Sequence, residues 1–143
     1  MMRKIKCVLL VDDDEDCHFF HQRLLTKMNC TEKIALANDG KEAINYIHDA
    51  IAGNNTLPEL IFLDINMPGM NGWDFLDEFE KLDESVKNKI IIIILTTSIH
   101  PADKNKSLEY KTVSDFQLKF LSVTTLDGIV SRYFGENTNF PLQ

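Results

Sequence analysis

The 143-residue sequence is short of the residues that break or staple a chain, with 4 Pro, 6 Gly and 3 Cys. So little Pro and Gly, with 44% hydrophobic residues, excludes a disordered or collagen-like chain. Cys7, Cys17 and Cys30 are odd in number and lack a CxxC spacing, which excludes a disulfide framework and fits unreactive thiols of a reducing compartment. Long apolar runs are missing too. The longest aliphatic run, Ile90 to Leu95, lies between Lys89 and Thr96 and falls far below the roughly 18 residues of a membrane span. Arg3, Lys4 and Lys6 imitate the start of a signal peptide, but the apolar stretch Cys7 to Val11 runs straight into acids, so a cytoplasmic protein is expected. Positive charge is in deficit, 15 Lys and Arg against 22 Asp and Glu for a net charge of -7, which disfavours direct nucleic-acid binding.

What is present has a regular rhythm. Apolar runs fit for strands recur at Ile5 to Val11, Lys33 to Ala37, Leu60 to Leu63, Ile90 to Leu95 and Phe116 to Leu118. Helical stripes lie between them: Cys17, Phe20, Leu24, Leu25 and Met28; then Ala43, Ile44, Ile47 and Ile51 after a cap at Asp39; then Trp73, Leu76 and Phe79. A last stripe, Leu126, Ile129, Val130 and Tyr133, stops at Gly135, and a weaker helix is expected between Pro101 and Tyr110. Strands alternating with helices imply right-handed crossovers and a parallel sheet covered on both faces. The expected architecture is a five-stranded, doubly wound α/β sandwich in a single domain, its core spanning about residues 4–135 with a short tail at 136–143.

In such a sheet ligands bind beyond the carboxyl ends of the strands. The residues there are Asp12 to Asp16 after the first strand, Asp64 after the third, Thr96, Thr97 and Ser98 after the fourth, and Lys119 near the end of the fifth. Asp14, Glu15 and Asp16 read as a solvated helix start with Asp14 as its cap. Asp12 and Asp13 would instead face Asp64, and three crowded carboxylates need a cation. Hard oxygen ligands in small number suit Mg²⁺, with Lys119 and Thr96 supplying an ammonium and a hydroxyl to an anion carried there. Asp12, Asp14 and Asp16 also match the first ligands of an EF-hand loop, but Cys17 and Arg23 stand where its glycine and terminal glutamate belong. His18, His21, His48 and His100 lack metal-ligand spacing and read as surface or satisfied histidines.

Four segments together, Leu9-Leu10-Val11-Asp12-Asp13, Leu63 to Gly72, Leu95-Thr96-Thr97-Ser98 and Lys119, resemble the receiver domain of two-component response regulators. The resemblance covers nearly the whole chain and implies strand order 2-1-3-4-5, the flavodoxin-like arrangement. It implies further that Asp64 accepts a phosphoryl group from a histidine kinase or phosphotransfer protein. Mg²⁺ would be held by Asp12, Asp13, Asp64 and the backbone carbonyl of Asn66, with Thr96 and Lys119 on the phosphoryl oxygens. Phe116 matches the aromatic position that turns inward when the threonine moves. Nothing after Lys119 resembles an output domain, so the implied role is that of a stand-alone regulator acting on a partner protein or a second copy of itself. In that family Pro commonly follows the lysine; Phe120 stands here, and a trans Lys119-Phe120 bond is expected. Thr97, larger than the residue usual there, would narrow access to the site. An enzyme reading also fits part of the pattern: a haloacid-dehalogenase-type phosphatase would use Asp12, Asp14, Thr96 and Lys119, but lacks a second acid pair after the lysine and leaves Asp64 unexplained.

Overall fold

The computed structural model describes residues 3–97 and 100–135. Its strands are β1 (Val8–Val11), β2 (Ile34–Ala37), β3 (Leu60–Asp64), β4 (Ile91–Thr96) and β5 (Val113–Leu118). The helices are α1 (Glu15–Met28), α2 (Gly40–Ile51), α3 (Gly72–Phe79), α4 (Glu84–Lys87), α5 (Pro101–Ser107) and α6 (Val123–Phe134). All paired strands run parallel in the order β2-β1-β3-β4-β5, as the alternation of strands and helices requires. This is the expected fold.

Strand pleating feeds two cores. Leu9, Val11, Ile61, Leu63, Ile92 and Ile94 pack with Ile47 of α2 and Phe75 and Phe79 of α3. The alternate residues Val8, Leu10, Leu60, Phe62, Ile93 and Leu95 pack with Leu25 of α1 and Leu126, Ile129 and Phe134 of α6. A strand buried on both faces needs no polar alternation, so β1, β3 and β4 read as unbroken apolar runs. Helix starts are chemically marked. Asp14, Asp39, Asn71 and Ser122 each accept a backbone N–H as N-caps, and Asn71 closes a capping box with Asp74.

Several expectations shift. Ile5 lies outside β1 and only bridges Thr31. β5 starts at Val113, three residues before the apolar run, because an edge strand tolerates the polar Ser114 and Asp115. α4 is a single turn that buries no side chain, so no hydrophobic stripe announces it. In α1 the buried residues are Cys17, His18, His21 and Leu25, whereas Phe20 is 43% exposed. Two histidines thus occupy the inner face expected for aliphatic residues.

Candidate functional site

Each strand that ends in the crevice delivers one polar residue there. Asp12 follows β1, Asp64 closes β3, Thr96 closes β4, and Lys119 follows β5; Asp12, Asp64 and Thr96 are all buried. Parallel pairing sets their register: Val11 lies opposite Leu63, Asp64 opposite Leu95 and Thr96 opposite Leu118. Asp13 stays exposed, but carboxylate oxygens of Asp12, Asp13 and Asp64 all lie within 4.8 Å of one another. At that spacing two unit charges repel by about 3 kcal/mol at an effective dielectric near 20.

One ammonium faces these three acids. Lys119 Nζ lies 2.7 Å from Asp12 Oδ2 and 3.5 Å from Asp64 Oδ2, with its side chain almost fully buried. Its backbone N–H donates to the Thr96 carbonyl at 2.7 Å, tying the end of β5 to the end of β4. Asp12 Oδ1 accepts the N–H of Asp14 at 3.0 Å, and Asp64 Oδ1 accepts that of Asn66 at 3.3 Å. Burial pushes Asp64 up to about 6, with the charge of Asp12 adding to it, and Lys119 only partly offsets this. Burial pulls Lys119 down, but the hydrogen bond to Asp12 and the charges of Asp64 and Asp12 outweigh it and leave the ammonium raised. Three carboxylates with one ammonium leave negative charge uncompensated, and their hard oxygen atoms can hold a divalent cation.

Two glycines shape the loop after β3. Gly69 has φ of +70°, in the left-handed region. A Cβ on Gly72 would meet the Asp64 carbonyl oxygen at 2.6 Å, so only glycine lets α3 start this close to the strand end. Cys17 lies with its sulfur 3.9 Å from Lys119 Nζ; burial, then the charge of Asp12, push the thiol up to about 11, which keeps it protonated.

The structure brings together Asp12, Asp13, Asp64 and Lys119, with Thr96 tied to Lys119 through its backbone carbonyl and Asn66 on the adjoining loop. Phe116 is half-buried against the α2/α3 core and lines a cavity of about 350 Å³ between α5 and β5. Thr97 is exposed, and Ser98 lies outside the described residues. Asp14 does not join the pocket: it is exposed and spends Oδ1 on the Asp16 N–H, which removes the second acid of the phosphatase pattern. The trans expectation fails, because the Lys119-Phe120 peptide is cis. Hydrogen bonds to Thr96 and His21 hold Lys119 and Leu121, on either side of Phe120. His21 is a satisfied histidine, as expected, and no sequence pattern signals that it and Phe120 stack. The expectation of surface or satisfied histidines is corrected for His18, which is buried with neither ring nitrogen hydrogen-bonded among the described residues.

Residues 8–130 match the response regulator receiver domain. The chain belongs to that family. The receiver resembles the crystal structure of a two component response regulator from Cytophaga hutchinsonii at 33% identity and TM-score 0.82, over 90% of this chain and 96% of that one. It is 30% identical over 105 residues to Response regulator Rcp1 of Synechocystis, covering 73% of this chain and 70% of Rcp1. It is 26% identical to the probable methanogenesis regulatory protein FilR2 of Methanothrix harundinacea, over 83% of this chain and 75% of that protein. Other relatives are far longer, and the matched region spans 12% of the transcription factor SKN7 of Chaetomium thermophilum. Receiver domains work with histidine kinases or phosphotransfer proteins and bind Mg²⁺ at an acidic pocket of this kind. Among the described residues no helix is long and apolar enough to cross a membrane.

Proposed function

We propose that this receiver accepts a phosphoryl group on Asp64 from a histidine kinase or phosphotransfer protein, with Mg²⁺, and signals through a protein contact that depends on it. The observation that supports this best is the buried pocket in which Lys119 spans Asp12 and Asp64 while three carboxylates crowd one another. Asp12, Asp13, Asp64 and the Asn66 carbonyl are the groups that would hold the cation. When bound, Mg²⁺ supplies positive charge between the acids and the incoming phosphoryl oxygens.

Asp64 is the nucleophile in this reading. Held near 6, its carboxylate is ionised at neutral pH yet poorly hydrated. One of its oxygens forms the new P–O bond as the P–N bond to the donor imidazole breaks. Lys119, already between Asp12 and Asp64, pairs with a phosphoryl oxygen, and the Thr96 hydroxyl donates to another. Drawing Thr96 toward the phosphoryl group lets Phe116 turn inward, so the α5, β5 and α6 surface takes two arrangements. A partner or a second copy that favours one arrangement reads the signal.

The test is incubation with Mg²⁺ and phosphoramidate followed by intact-mass measurement. Wild type should gain one phosphoryl group only when Mg²⁺ is present, and Asp64→Asn should gain none at this position. Equal labelling of the two proteins would overturn the assignment.

A further inference from the structure

The segment that carries Lys119 is held by a group from a different element. β5 stops pairing at Leu118 opposite Thr96, and among the described residues the sheet holds the Lys119 backbone through its N–H to the Thr96 carbonyl. Past that point α1 takes over. His21 is buried, and its Nε2 accepts the Leu121 N–H at 3.2 Å. Its ring stacks on Phe120 with centroids 5.6 Å apart and planes 28° from parallel. Phe20 meets the same Phe120 ring edge-on at 5.0 Å. Leu121 is buried in the α1/α6 core, and Ser122 then caps α6. Residues 119 to 121 are therefore fixed from the sheet at one end and from α1 at the other.

We propose that His21 is a positioning residue for phosphoryl transfer: by accepting the Leu121 N–H and stacking on Phe120, it fixes the segment that aims the Lys119 ammonium between Asp12 and Asp64. This rests on the reading of Asp64 as acceptor. A lysine reaches its target through a flexible stem, so its aim is set by where its backbone is held, and small misplacements are costly in a transfer step. Nε2 accepts only while it carries no proton; the imidazole proton then sits on Nδ1, toward the backbone of Cys17 one turn earlier. Burial pulls His21 down to about 4, and Lys119 adds to this against the opposing charge of Asp12, so the ring remains a neutral acceptor at neutral pH.

Three variants separate acceptor from ring. His21→Phe keeps an aromatic face and removes the acceptor. His21→Gln places an amide oxygen at a similar reach and removes the ring, and Phe120→Ala truncates a half-exposed side chain and leaves the acceptor. Amide exchange of Leu121, the NMR signal of the Lys119 ammonium, Mg²⁺ affinity and the saturating rate of phosphorylation by phosphoramidate are measured on each. In His21→Phe, Leu121 exchange should rise and the phosphorylation rate fall by about tenfold each, the factor set by one lost hydrogen bond, while Mg²⁺ affinity is unchanged. His21→Gln should restore most of both, and Phe120→Ala should lose less than His21→Phe. A folded His21→Phe protein with wild-type rate, or a His21→Gln protein no better than it, would overturn the proposal. Should His21→Phe fail to fold, wild-type rates in both His21→Gln and Phe120→Ala at altered Leu121 exchange would overturn it as well. If wild type takes no phosphoryl group, the acceptor reading fails. An unchanged Lys119 signal in folded His21→Phe overturns the role of His21 whether or not Asp64 is labelled.

Discussion

β3 has a buried carboxylate at each end, and the two are treated in opposite ways. At its start Glu59, 2% exposed, accepts both terminal nitrogens of Arg3 at 2.9 and 2.8 Å and the Lys6 N–H at 2.8 Å. Both oxygens are engaged, in three hydrogen bonds from one full charge and one backbone donor. At the other end Asp64 has a long 3.3 Å contact from Asn66 and shares Lys119, 3.5 Å away, with Asp12. One pair is complete; the other cluster is short of positive charge. The complete pair secures the chain before β1 to the sheet and leaves nothing for a ligand to add. The incomplete cluster costs stability until a cation occupies it.

The largest expected effect comes from breaking the complete pair. Arg3→Ala leaves Glu59 charged and buried, and should destabilise the protein by about 3 kcal/mol, read from urea unfolding, while phosphorylation at saturating Mg²⁺ is unchanged. The reverse sign is expected at the other end. Asp64→Asn removes one charge from the crowded cluster and should stabilise the metal-free protein by about 2 kcal/mol at pH 8. A loss of stability in that variant would mean that the cluster is already compensated.

A pH series sharpens the same contrast. Burial raises Asp64 from 3.8, the ordinary value for an Asp side chain, to about 6, so the fold binds its proton more tightly than the unfolded chain does. That contribution is fully present below about 4 and is lost as pH rises through about 6. Stabilisation by Mg²⁺ should grow over the same window. At tenfold excess over its dissociation constant it reaches about 1.4 kcal/mol at pH 8 and should be smaller at pH 5, measured as thermal shifts. Asp64→Asn should flatten this dependence. The smallest effect concerns His18, buried with both ring nitrogens unbonded among the described residues. His18→Leu should gain about 1 kcal/mol, because an apolar side chain of similar size ends that desolvation cost.

The residues of the incomplete cluster were legible in the sequence because each follows an apolar run, and a parallel sheet places all such positions at one edge. Asp12, Asp64, Thr96 and Lys119 are of this kind. The complete pair was not legible: Arg3 and Glu59 lie far apart in sequence, and neither position has a pattern that announces burial. β5 was read too short because an edge strand carries Ser114 and Asp115 without penalty. On α1 the aliphatic and aromatic stripe pointed to Phe20, whereas the helix turns His18 and His21 inward and leaves Phe20 to meet Phe120 at the surface. Helical periodicity ranks side chains by apolarity, and a histidine whose acceptor is needed by a neighbouring loop defeats that ranking. The cis Lys119-Phe120 bond was unreadable for the same reason, since the neighbours of Phe120 come from α1 and no local pattern foretells them.

If the charge-deficient end of β3 is the phosphoacceptor, the acyl phosphate forms on Asp64 and on no other carboxylate of the cluster. Protein labelled with phosphoramidate and Mg²⁺ and then reduced with borohydride converts an aspartyl phosphate to homoserine, which peptide mass spectrometry places in the sequence. Homoserine is expected at position 64 alone, and only when Mg²⁺ is present. Homoserine at 12 or 13, or a phosphoryl group retained on a histidine with position 64 unmodified, would contradict it.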